Sequence, residues 1–343
     1  MSSMYAIIVH IKNRMKLSNP SSPSKIYSIE NLRGIAALMV LICHIGMITP
    51  YLYIPAISFF QNGVTLFFVI SGFIIPYSMY LSGYELKRFG TFILKRICRI
   101  EPPYLITVCL SYVIYHFISP QRLPPLFDMA LHIGYLVPFF SGTVWINHVY
   151  WTLAIEFQFY ILIAFLLPLI LRSNKYLAIL ICFLLLAMLF IKIPSVNNGE
   201  MLYTYIINFS IGIFTFLFFI KRITKVEYFI GLILYLILGK LMISYTQAIV
   251  SVLSSLAILF LNRKSTFGSF FGGISYSLYI THSIVSTVLD YPLSFLFKGD
   301  HIILDGFYLI MTGVICIAFA YGFNVFVEVP FLKFSKRVRY NKT

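Results

Sequence analysis

The chain has 343 residues, of which 60% are hydrophobic and only 11% charged, and its mean hydropathy is +0.90. A soluble domain carries about 25% charged residues and must turn a polar exterior to water, so this composition excludes a soluble globular fold and points to a membrane protein. The formal net charge of +15 invites a nucleic-acid reading, which the distribution of the cations argues against.

Residues 1–28 form a polar lead. Its apolar run Met4–His10 is too short for a signal-peptide core and no cleavage pattern follows. Met15 is an alternative start, and the first span doubles as an uncleaved targeting signal. A spanning helix needs about 20 mostly apolar residues. Ten stretches meet that need: 32–52, 62–82, 101–118, 150–171, 176–193, 203–220, 226–243, 245–261, 273–293 and 304–327. The seventh and eighth are divided by almost no loop. Residues 86–99 alternate cations with apolar side chains, the pattern of an interfacial helix. The segment 119–149 is long, contains Trp145 and His148, and has the length at which loops carry function.

Lys and Arg fall in alternate connections. The N-terminal side, the loops after spans two, four, six and eight, and the C-terminal tail hold all of the 26 except Arg122, Lys192, Lys240 and Lys298. This is the positive-inside asymmetry, and it accounts for the net charge without a polyanionic partner. The expected fold is therefore all-α, a polytopic membrane protein with about ten transmembrane helices and both termini cytoplasmic. Its parts are an N-terminal lead (1–28), a transmembrane domain (29–331) and a basic tail (332–343). The five cysteines form no CxxC pair, so neither a disulfide framework nor a zinc site is expected.

An ionisable side chain inside a span is a functional candidate by default. Arg33 and His44 stand eleven residues apart on the first span, which puts them on one face about 16 Å apart along the helix, His44 near mid-membrane. Histidine suits proton transfer, or it bonds a neighbouring helix. Arg96 and Arg99 make adjacent helical projections whose forked guanidinium groups hold phosphate well; topogenic charge or lipid headgroup binding is the other reading. Glu156, on the fourth span, orients His44, takes a proton, binds sugar hydroxyls or forms an interhelical ion pair. His282, on the ninth, is a second lining residue or packs in the core. Glu328 is positioned to pair with Arg33.

Six blocks containing these residues resemble the membrane acyltransferase-3 family, in the family's order. They are IENLRGIAALMVLICHIG (29–46), similar to "LDGLRGIAALLVVLxH"; GVTLFFVISGFII (63–75); KRICRIEPPYLI (95–106), with RxxR intact; WTLAIEFQFYIL (151–162); ISYSLYITHSIV (274–285); and VEVPF (327–331). The resemblance implies a multi-pass enzyme of the bacterial cytoplasmic membrane that O-acylates extracytoplasmic glycans with cytoplasmic acetyl-CoA as donor. It assigns catalysis to His44 with Glu156, and CoA binding to Arg33, Arg96 and Arg99. His282 remains a candidate lining residue, and no metal is implied. Thr65, Thr152, Phe157 and Glu101 depart from the family pattern. Phe157 removes the second carboxylate of its "EEQFY" block.

The expected reaction is acyl transfer to a hydroxyl of a glycan or lipid-linked saccharide, with His44 either deprotonating that hydroxyl or carrying the acyl group. A transporter or flippase for lipid-linked sugars is the rival reading. It predicts internal repeats and broken midplane helices, and neither is visible in the sequence. A non-catalytic scaffold would tolerate loss of both His44 and the RxxR pair.

Overall fold

A computed structural model describes residues 26–47, 55–194, 196–297 and 302–338. The polar lead lies almost wholly outside these, as do the last residues of the basic tail and the end of the first expected span. The fold is 85% helical, with no strand among the described residues. Ten principal helices follow one another: α1 (Tyr27–Gly46), α2 (Gly63–Leu81), α3 (Phe89–Ile118), α4 (Trp151–Arg172), α5 (Lys175–Leu184), α6 (Leu202–Phe219), α7 (Lys225–Met242), α8 (Tyr245–Phe260), α9 (Thr266–Phe297) and α10 (Ile302–Phe323). A π-turn (Asn324–Glu328) carries α10 into a last helix, Val329–Arg337.

Among the described residues six segments, against the ten spans expected, are long and apolar enough to cross a bilayer: Tyr27–Gly46, Ile57–Leu81, Leu86–Ile118, His148–Arg172, Asn198–Phe219 and Ile302–Arg337. Large apolar side chains cover much of the exterior, among them Phe117, Phe190, Leu241 and Phe326. In water such a surface would be untenable; against lipid it is the expected one.

The short connections end helices with polar caps. Asn174 accepts from Leu177 N at the α4–α5 turn, Thr224 and Glu227 form a capping box before α7, and Ser244 accepts from Gln247 N before α8. These side chains satisfy backbone N–H groups that a helix start leaves open. The Ser244 cap is what divides α7 from α8 within the nearly loopless stretch.

Two differences from expectation concern the site. The basic segment 86–99 is not a separate interfacial helix, because α3 runs unbroken from Phe89 through Pro102 and Pro103 to Ile118. Arg96 and Arg99 are thereby rigidly joined to a span. In addition, α1 ends at Gly46, short of the expected 52, so His44 sits in its last turn.

Packing is closest where glycines meet. A Cβ on Gly72 would overlap the carbonyl of Phe209, and one on Gly212 the carbonyl of Val69, so α2 and α6 cross with backbones touching. Gly34 and Gly272 make the equivalent approach between α1 and α9. Phe68, Phe159 and Phe209 stack beside the first crossing, with centroids 4.8 and 4.3 Å apart. The start of α1 is tied to the α8–α9 region by Ser28 Oγ donating to Ile258 O (2.7 Å) and Asn31 Nδ2 to Arg263 O (2.9 Å).

Candidate active site

Helices α1, α2, α3, α4 and α9 enclose a cavity of about 280 Å³. Arg33, Arg96 and Arg99 line it together, although they come from two helices far apart in sequence. The Arg96 guanidinium lies 5.3 Å from the ring centres of both Phe92 and Tyr160, which fixes it by cation–π contact. Among the described residues, neither Arg33 nor Arg99 has a hydrogen bond or ion pair. Arg33 feels Arg99 as a like charge and Glu328 and Glu156 as opposing ones. Unpaired guanidinium groups gathered on a cavity in apolar surroundings are costly unless an anion joins them.

The expected Arg33–Glu328 ion pair is not formed. Oε2 of Glu328 instead accepts from Ser277 N (3.2 Å), Ser277 Oγ (2.6 Å) and Asn324 Nδ2 (2.8 Å). Glu328 thus fastens the π-turn to α9, and Arg33 stays available to the cavity.

Glu156 lines the same cavity as the arginines and accepts a hydrogen bond from Ser71 Oγ at 2.9 Å. It makes no contact with His44. The carboxylate stands on the arginine side of the site.

The opposite end of the cavity is formed by Val64, Phe67, Thr152 and Tyr279. The Tyr279 hydroxyl donates to Val149 O (3.1 Å) and accepts from Thr152 Oγ1 (2.7 Å). Phe67 meets the Tyr279 ring edge-on, with centroids 5.6 Å apart. His282 lies one turn further along α9, its centroid 6.0 Å from that of Tyr279 and 4.9 Å from that of His44. His44 itself does not line the cavity. Phe67 and Tyr279 stand as a plug between the guanidinium groups and the imidazole pair.

The tautomer of His44 follows from its hydrogen bond. Nδ1 is 2.8 Å from Val40 O, which accepts only, so Nδ1 carries the proton and Nε2 presents a lone pair. His44 is half-buried and is faced by exposed His148 from the turn before α4. It is thus partly exposed, and in its neutral form Nε2 is the acceptor that a general base requires.

The long segment before α4 is ordered by His132. Its Nδ1 donates to Asp128 O (2.7 Å) and its Nε2 accepts from Ile146 N (3.0 Å), while Asp128 Oδ2 accepts from Val144 N (2.9 Å). Burial pushes His132 below its ordinary value. Trp145 Nε1 donates to Glu200 Oε2 at 2.7 Å, tying this segment to the approach to α6.

The structure therefore brings Arg33, Arg96, Arg99 and Glu156 into one cavity and His44 with His282 into a second place beyond it. Sequence reasoning missed Phe67, Tyr279 and Ser71. The signal was present, since each lies inside a quoted block, but aromatic and hydroxyl side chains in a span look like ordinary packing.

A family model described as an acyltransferase domain matches residues 26–325. Comparison with curated proteins gives no match, and comparison with solved structures gives none. The matched region contains Arg33, Arg96, Arg99, Glu156 and both histidines, and the chain belongs to the acyltransferase-3 family as a multi-pass membrane acyltransferase.

Proposed function

We propose that this acyltransferase moves an acyl group, acetyl by default, from acyl-CoA on the cytoplasmic side of a bacterial inner membrane to a hydroxyl of an extracytoplasmic or lipid-linked glycan. The observation that carries this reading is the pair of unpartnered guanidinium groups, Arg33 and Arg99, gathered with Arg96 on one cavity. Forked, permanently charged donors suit the phosphates of CoA. The cavity's size, about 280 Å³, falls just below the ligand-pocket range of about 300–1,000 Å³; it suits the phosphates and the start of the pantetheine arm. The ten-span arrangement with cytoplasmic termini, argued from the cation asymmetry, turns the arginine end of the cavity inward.

In this reading Arg33, Arg96 and Arg99 hold the donor, and the arm passes between Phe67 and Tyr279 toward His44. Nε2 of His44 removes the acceptor's hydroxyl proton as the oxygen attacks the thioester carbonyl. The carbon–sulfur bond then breaks, and the leaving thiolate takes the proton from His44. The plug keeps bulk water from the thioester until the arm is seated, which limits hydrolysis. Ser71 and Glu156 act at the donor end, where Glu156 offsets the clustered positive charge.

Sealed inside-out vesicles supplied with acetyl-labelled acetyl-CoA test the reading. Label should appear in alkali-labile esters of glycan within the vesicle lumen, and His44→Ala should abolish it while the protein still inserts. A flippase would label no glycan, and transfer by the His44→Ala protein would remove His44 from the mechanism.

A further inference from the structure

His44 and His282 are set in the same way. Each imidazole donates Nδ1–H to the carbonyl four residues earlier, His44 to Val40 O at 2.8 Å and His282 to Leu278 O at 3.0 Å. Both therefore present Nε2 lone pairs, and their ring centres are 4.9 Å apart. His282 is 1% exposed, and its Nε2 is buried with no hydrogen-bond partner. A buried acceptor without a donor is destabilising, and such orphans are rare enough to require an account. Neighbouring donors are engaged elsewhere: the hydroxyls of Thr281 with Ser277 O and of Tyr279 with Val149 O, and the thiol of Cys316 with the His282 carbonyl instead of its ring.

We infer that His282 is a positioning residue whose Nε2 accepts a hydrogen bond from Nε2–H of His44 once His44 has taken the acceptor's proton. The neutral pair cannot make this bond, because neither Nε2 carries hydrogen. Protonation of His44 supplies the missing donor; the rings, 4.9 Å apart between centres and not hydrogen-bonded to each other as they stand, must then turn so that the N–H meets the neighbouring lone pair. The groups facing the pair are His148 opposite His44, Tyr279 one turn along α9, Val40 and Leu278 through their carbonyls, and Cys316 on α10. Among the described residues no carboxylate acts on either ring. The partner that steadies a catalytic imidazolium in many enzymes, a carboxylate behind the ring, is replaced here by a backbone carbonyl behind His44 and a second imidazole beside it.

The inference rests on reading His44 as the base, and its test needs neither acyl donor nor acceptor. Diethyl pyrocarbonate modifies neutral imidazole and spares the cation, so the pH dependence of His44 modification in the purified full chain, read by peptide mass spectrometry, reports its proton affinity. Two uncharged variants separate support from bulk. His282→Leu should move the midpoint to lower pH by about one unit, a tenfold loss of proton affinity. His282→Gln, whose amide oxygen still accepts, should stay near the wild-type midpoint. Equal shifts in the two variants, or no shift in either, would overturn the inference and leave acyl transfer by His44 to be judged by the vesicle experiment.

Discussion

Arg33 and Arg99 differ from the other cations near the site in having nothing to hold among the described residues. Had either been a structural charge, a carboxylate would be expected against it, and Glu328 is close enough to be felt but is committed to Ser277 and Asn324. Hydrogen bonds to charged groups contribute about 1.5–3 kcal/mol each, so Arg99→Gln should weaken CoA binding roughly tenfold to hundredfold and leave the thermal midpoint of the protein unchanged or raised. Equilibrium binding of radiolabelled CoA checks the first outcome and a melting curve the second. Phe67 makes a different prediction. Phe67→Trp enlarges the plug without touching a guanidinium group, so turnover should fall by about tenfold or more through misplacement of the thioester, at unchanged CoA affinity. These residue roles were unequally legible. Charges and histidines in apolar spans announce themselves because lipid penalises them, whereas Phe67 and Tyr279 carry no such mark. The joint location of Arg33 with the RxxR pair depends on two helices meeting, which no local pattern encodes.

At the scale of elements, hydropathy located ten helices, of which six segments among the described residues have the length and apolarity to cross a bilayer. It could not find where α1 stops, since Met47 and the residues after it are as apolar as those before, and it divided α3 at a Pro-Pro pair that the helix passes through. The α2–α6 crossing was likewise invisible, because two glycines 140 residues apart give no sign of meeting. Gly72→Ala places a methyl group against the Phe209 carbonyl, and overpacking of this kind costs about 1–3 kcal/mol. A lowered unfolding temperature in detergent, with the same loss for Gly212→Ala, is the expected result. The segment before α4 carries a pH prediction. His132 is held neutral by burial, below its ordinary value, so its contribution is fully present above the unfolded value of about 6.5 and is lost as pH falls from there toward the folded value. Protection factors in residues 126–147, taken against the intrinsic exchange rate at each pH, should therefore fall below about pH 6.5, and His132→Gln should flatten that dependence.

Across the whole molecule, an apolar exterior, an all-helical fold and a cavity lined by three arginines describe an enzyme whose polar chemistry is enclosed by lipid-facing helices. In the proposed reading donor recognition and proton transfer occupy separate places, the arginine cavity and the imidazole pair, with Phe67 and Tyr279 between them. That separation makes the two functions independently removable. The affinity of the purified full-length chain for CoA, compared among wild type, His44→Ala and the Arg33→Gln/Arg99→Gln double variant, measures it directly. The expected result is wild-type affinity for His44→Ala and a loss of at least about tenfold for the arginine variant. Wild-type affinity in the arginine variant, or lost affinity in His44→Ala, would contradict the assignment of the cavity to the donor and of His44 to the chemistry.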